Sequence, residues 1–109
     1  MAVRRGHMAY RIRFSPEADD HVAALTARQR AILLDVLGRQ LLHKPTVQTR
    51  NRKRMQGREQ MPIAPWELRI GNLRVYYDVY ERPARLVVIG AVGIKVRDRV
   101  RIGGKEIVP

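Results

Sequence analysis

Trp66-Glu67-Leu68-Arg69-Ile70-Gly71-Asn72-Leu73-Arg74-Val75-Tyr76-Tyr77 is the stretch whose reading decides the fold. Apolar residues alternate through Trp66, Leu68 and Ile70, and again through Leu73, Val75, Tyr77 and Val79. That is the period of half-buried strands. Gly71-Asn72 between the two runs predicts a two-residue hairpin turn of the primed type, in which Gly or Asn accepts a positive φ. A loop of that length sets the register, placing Ile70 opposite Leu73, Arg69 opposite Arg74 and Glu67 opposite Tyr76. Two arginines facing across a ladder repel, at a cost on the order of a few tenths of a kcal/mol. A polyanion, or a carboxylate such as Glu67, would offset that repulsion, so the hairpin is a candidate site.

Upstream, Tyr10, Ile12 and Phe14 alternate with Arg11 and Arg13 and predict a first strand. Ser15-Pro16 then opens a helix, with serine as N-cap and proline where no hydrogen bond is lost. Ala18, Val22 and Leu25 form its apolar stripe. Thr26-Ala27-Arg28-Gln29 has the spacing of a capping box and starts a second helix through Ile32, Leu33, Val36, Leu37 and Leu41, which Pro45 ends. The segment 36–58 contains no acidic residue but holds Arg39, Lys44, Arg50, Arg52, Lys53, Arg54 and Arg58. It reads either as a solvated basic loop or edge strand or as a phosphate-binding run, and the lack of counter-charges favours the second.

Downstream, the run from Leu86 to Val92 is apolar on both faces, as in a strand with neighbours on both sides. Lys95, Arg97, Arg99 and Arg101 follow at period two, then a short strand (Val100, Ile102), a Gly103-Gly104 turn and an apolar tail. The expected order is β-α-α-β-β-β, an α+β fold whose antiparallel sheet carries an αα-hairpin on one face. Residues 1–8 read as a basic extension and residues 9–109 as a single domain.

A net charge of +12, from 22 Lys plus Arg against 10 Asp plus Glu, points to a polyanionic partner, nucleic acid first. No apolar run approaches the length of a membrane span and no signal-peptide core is present, so the expected setting is cytoplasmic, away from membranes. The absence of cysteine excludes disulfides, thiol catalysis and thiolate metal sites.

His7, His21 and His43 are scattered without ligand spacing, no glycine-rich phosphate loop precedes a helix, and the single serine is already a cap. Neither metal nor cofactor is expected. What remains is a convergence of cations, Arg69 and Arg74 beside Glu67, with basic runs before and after. Cations can stabilise the extra charge of a phosphoryl-transfer transition state. Cleavage by 2′-hydroxyl attack also needs a proton acceptor and donor, for which Glu67, Lys53, Lys95 and Tyr76 are available. Glu67 reads equally as an ion-pair partner, and Tyr76 as a strand aromatic or a base-stacking platform.

The segments Tyr-Arg-Ile-Arg-Phe-Ser-Pro-Glu-Ala (10–18), the hairpin 66–79 and Ile-Gly-Ala-Val-Gly-Ile-Lys (89–95) together resemble the RelE/ParE superfamily of toxins from bacterial type II toxin-antitoxin systems. The resemblance implies a cytoplasmic protein with a cognate antitoxin, whose toxin-binding segment is expected to be acidic and amphipathic. In the RelE branch it implies metal-independent, ribosome-dependent cleavage of mRNA. Arg74 matches the arginine after the hairpin turn that meets the scissile phosphate in that branch. Lys95 falls near the branch's basic residue after the last long strand, and Arg97 fits it when the alignment is shifted by two. Arg52, Lys53 and Arg69 fall among the family's other basic residues, with Arg50 and Arg54 flanking them as RNA-binding candidates. No tyrosine or histidine follows Tyr80, where many active members place one. The related readings are a ParE-like inhibitor of DNA gyrase and a basic RNA-binding module without catalysis.

Overall fold

The computed structural model describes residues 9–55, 64–102 and 105–107. The expected extension 1–8, and Arg58, Gly103 and Gly104, lie outside the described residues. The chain runs β1 (Arg11–Phe14), α1 (Pro16–Ala23), α2 (Ala27–Leu41), β2 (Arg52–Arg54), β3 (Trp66–Ile70), β4 (Leu73–Tyr80), β5 (Leu86–Val96), β6 (Arg99–Ile102) and β7 (Lys105–Ile107).

Local chemistry sets the helix starts. The Ser15 hydroxyl accepts from the Ala18 N–H at 3.1 Å, with Pro16 at the first helical position. Thr26 and Gln29 form a reciprocal capping box, each side chain accepting from the other's backbone N–H at 3.1 and 2.9 Å. The β3–β4 register is the one the sequence predicts, with Ile70↔Leu73, Arg69↔Arg74 and Glu67↔Tyr76 as partners. In the turn Gly71 has φ 58, while Asn72 has no positive φ, a pattern that needs Gly at the first central position.

The sheet is ordered β2-β3-β4-β5-β6-β7, and β1 lies off this path against β5. This corrects the expectation of an all-antiparallel sheet, because β1 pairs with β5 in parallel, Arg11↔Leu86 to Phe14↔Ile89. It also extends the expected β-α-α-β-β-β order, since the short strands β2 at one edge and β6 and β7 at the other join the same sheet. The reason lies in the length of β5. One of its edges pairs with β4, while the other is divided between β1 at Leu86–Ile89 and β6 at Gly93–Val96. In the gap between those two strands, the Ser15 hydroxyl donates to the Gly90 carbonyl at 3.2 Å, and the Val92 N–H donates to His21 Nδ1 at 3.2 Å. Side chains from the start of the helical hairpin thus complete the strand edge.

β4 and β5 slip in register between Tyr76 and Tyr77, so that Tyr76 pairs with Ala91, Tyr77 with Ile89, and Gly90 is the extra residue of a bulge. The bulge keeps Val87, Ile89 and Val92 in the main core while Ala91 joins Tyr76 on the opposite face. That core also holds Leu33, Leu37 and Leu41 from α2, Ala18 from α1, and Leu68, Val75 and Tyr77 from the hairpin. Trp66 stacks on Tyr77 at 6.0 Å between centroids, and the Tyr77 hydroxyl donates to the Pro45 carbonyl at 2.7 Å. The αα-hairpin therefore covers one sheet face, and the candidate site lies on the other.

Candidate nucleic-acid interface

Parity along the strands brings Glu67 and Arg69 of β3, and Arg74 and Tyr76 of β4, to the face away from the helices. Two rows cross the sheet there. One runs Lys53–Glu67–Tyr76–Ala91, and the next runs Arg69–Arg74–Gly93–Ile102. Lys95 follows Gly93 on the same face, with Val100 as its partner on β6. Its backbone N–H donates to the Asn72 carbonyl at 2.7 Å, tying it to the hairpin turn.

The facing arginines avoid one another by bending apart. Arg69 Nε pairs with Glu67 Oε1 at 3.2 Å along its own strand. Arg74 Nη1 donates to the carbonyls of Gly71 at 2.7 Å and Leu73 at 2.9 Å, anchoring one corner of its guanidinium on the turn. The like-charge repulsion is thus relieved within the protein, by the Glu67 carboxylate for Arg69 and by the turn carbonyls for Arg74, which is 8% exposed.

Glu67 is buried and also hydrogen-bonds Tyr76. Burial, and then the adjacent Glu67 charge, push the Tyr76 phenol well above its ordinary value against the opposing pull of Arg74 and Arg69. It therefore stays protonated and acts as a hydrogen-bond donor that fixes the carboxylate. With only 5% of its surface exposed, and packed with Met55, Ala91 and Ile102, Tyr76 offers no open ring face for a base.

The basic run 50–54 splits. β2 is an edge strand on β3, so alternation sends Lys53 to the cationic face, opposite Glu67, and Arg52 to the helix side, opposite Leu68. Arg52 is 6% exposed and donates to the Lys44 carbonyl, to the Val47 carbonyl at 3.1 Å and to Gln40 Oε1 at 2.6 Å. It fastens the segment after α2 to the sheet and does not join the cationic cluster. Arg54 is exposed on the side of Trp66, and Arg50 is exposed in the turn before β2. Arg97, with φ 60, stands exposed at the tip of the β5–β6 turn. The structure therefore brings Arg69, Arg74, Glu67 and Tyr76 side by side, sets Lys53 and Lys95 on the same face on β2 and β5, and leaves Arg50, Arg52, Arg54 and Arg97 apart from them.

His21 is a residue whose role the sequence did not reveal, because its partner Val92 lies 71 positions away. Desolvation lowers its pKa, opposed by the nearby Asp20 and Glu17 charges. The neutral ring is the form the fold uses, since Nδ1 must be free to accept. Among the described residues, no group of three or more His, Cys, Asp or Glu is placed to hold a metal ion, and no helix is long and apolar enough to cross a membrane.

A scan of the chain against protein-family models gives no match, and neither does a comparison with curated proteins.

Proposed function

We propose that the protein is a toxin of RelE/ParE type that binds the ribosomal decoding site, cleaves mRNA there and so inhibits translation. The observation that carries this reading is that Arg69 and Arg74 face each other across β3 and β4 beside the Glu67 carboxylate, with Lys53 opposite Glu67 on β2 and Lys95 farther along β5, all on the sheet face away from α1 and α2. In this reading the cations neutralise the charge that builds on the scissile phosphate. Glu67, held by Tyr76 and Arg69, takes the proton of the attacking 2′-hydroxyl, and an ammonium group of Lys53 or Lys95 protonates the departing 5′-oxygen. An antitoxin with an acidic amphipathic segment would complement the same face, burying its apolar side while bringing carboxylates to Arg69, Arg74 and Lys95.

A binding-only reading draws on a different observation. Arg74 is tied to two turn carbonyls, and no tyrosine or histidine follows Tyr80, so the cluster would hold a nucleic acid, or gyrase in the ParE manner, without cleaving. Expression in a translation extract with mRNA 5′-end mapping, beside a gyrase supercoiling assay, separates the readings. New 5′ ends that require the ribosome support the nuclease. Loss of supercoiling with intact mRNA supports the gyrase inhibitor.

A further inference from the structure

The helix-free face carries a second basic cluster at its far end. Tyr80, Leu86 and Arg11 form one cross-strand row through β4, β5 and β1, and Asp78, Val88 and Arg13 form the next. Together with Arg82 and Arg85 of the β4–β5 turn, the residues of these rows other than Asp78 line an open cleft of about 440 Å³. Glu81 lies within 3.8 Å of Arg85, but among the described residues no carboxylate lies within 4.0 Å of Arg11, Arg13 or Arg82. Asp78 is occupied in part by the hydroxyl of Tyr80 and the N–H of Val79. Tyr80 is 46% exposed, in contrast to the enclosed Tyr76. Tyr80 lies six positions beyond Arg74 on β4, which is about 20 Å on the same face.

We propose that this cleft is a second subsite for single-stranded nucleic acid, with Tyr80 stacking a base and Arg11, Arg13 and Arg82 holding the flanking phosphates. The inference rests on reading the Arg69–Arg74 cluster as a nucleic-acid site and gives the substrate a path: one strand lying along β4 across both clusters. An exposed aromatic beside Arg11, Arg13 and Arg82, which pair with no carboxylate among the described residues, is the arrangement that sequence-tolerant single-strand binding uses.

The test measures binding of fluorescent unstructured RNAs of about four and about eight nucleotides over a salt series, lengths within the usual range for such surfaces. Arg11→Gln/Arg13→Gln/Arg82→Gln should lower the slope of log affinity against log salt by about 2. Tyr80→Ala should weaken the longer RNA about tenfold, and Tyr80→Phe should restore it. The advantage of the longer RNA should disappear in the triple variant. If that protein does not fold, Arg82→Gln alone, in a turn, should lower the slope by about 0.7. Unchanged binding in the far-end variants, with binding weakened by Arg69→Gln/Arg74→Gln, would overturn the second subsite and leave the first reading standing. No binding by the wild-type chain, or no effect of Arg69→Gln/Arg74→Gln, would overturn the underlying reading, and the subsite with it. If polyglutamate binding falls in the triple variant as RNA binding does, while Tyr80→Ala changes neither, the patch serves an acidic protein surface and the proposal fails.

Discussion

Arg52→Ala and Lys53→Ala should behave oppositely although the residues are adjacent. Arg52 makes three charge-assisted hydrogen bonds to Lys44, Val47 and Gln40, each of a kind that contributes about 1.5–3 kcal/mol when fully retained. Val47 is exposed and Gln40 half-buried, so water recovers part of that loss, while the buried Nε has no partner among the described residues, so the wild-type contact is itself incomplete. The net cost of Arg52→Ala is then about 3 kcal/mol. At a urea dependence of about 1.5 kcal/mol/M, the unfolding midpoint should fall by about 2 M. Lys53 is exposed and should change stability by less than about 0.5 kcal/mol when replaced by alanine, while lowering the salt slope of RNA binding by about 0.7. Urea titrations followed by Trp66 fluorescence give the first result, and binding isotherms over a salt series give the second. An Arg52→Ala midpoint within 0.3 M of wild type, on the scale of ordinary surface substitutions, would refute the structural role of that side chain.

Gly93→Ala should destabilise by about 1–3 kcal/mol and speed amide exchange in the β5–β6 hairpin, because the new Cβ would lie 2.7 Å from Ile102 Cγ1 and 2.8 Å from the Arg101 carbonyl oxygen. Stability should fall as pH drops from neutral through the depressed pKa of His21, since the unfolded chain takes up that proton first, and should be fully present above the ordinary histidine value. His21→Asn, which keeps an acceptor near Val92, should flatten that part of a stability–pH profile measured by urea titration. Arg97→Gly should raise stability slightly, by about 0.5 kcal/mol, which moves the urea midpoint up by about 0.3 M, because relief of a positive φ outweighs the added freedom of the unfolded chain.

The hairpin and the two helix starts were legible because their determinants are local. Turn residues, caps and alternation act over a few positions, and they placed Arg69, Arg74, Glu67 and Tyr76 on one face. The parallel strand was not legible, since Tyr10, Ile12 and Phe14 alternate identically in either direction and their partner lies more than seventy residues on. The Gly90 bulge was hidden for a related reason: a run apolar on both faces gives no phase to detect the slip. Arg52 carries the same charge as Lys53, and only the register between β2 and β3, strands separated by residues 55–65 in sequence, assigns one inward and the other outward. Tyr76 and Tyr80 share a parity, so the sequence could not tell that Met55 and Ile102 enclose the first and leave the second open.

The central claim is that the cations around Glu67 act on mRNA held in the ribosome, and single-turnover cleavage of a labelled mRNA on programmed ribosomes tests it most directly. The wild-type chain should cut at one position relative to the decoding site and only with ribosomes present. Arg74→Gln and Glu67→Gln, verified as folded, should each slow the cut by about a hundredfold or more. A wild-type chain that binds the programmed ribosome without cutting, or a cut that both variants make at the wild-type rate, would contradict it.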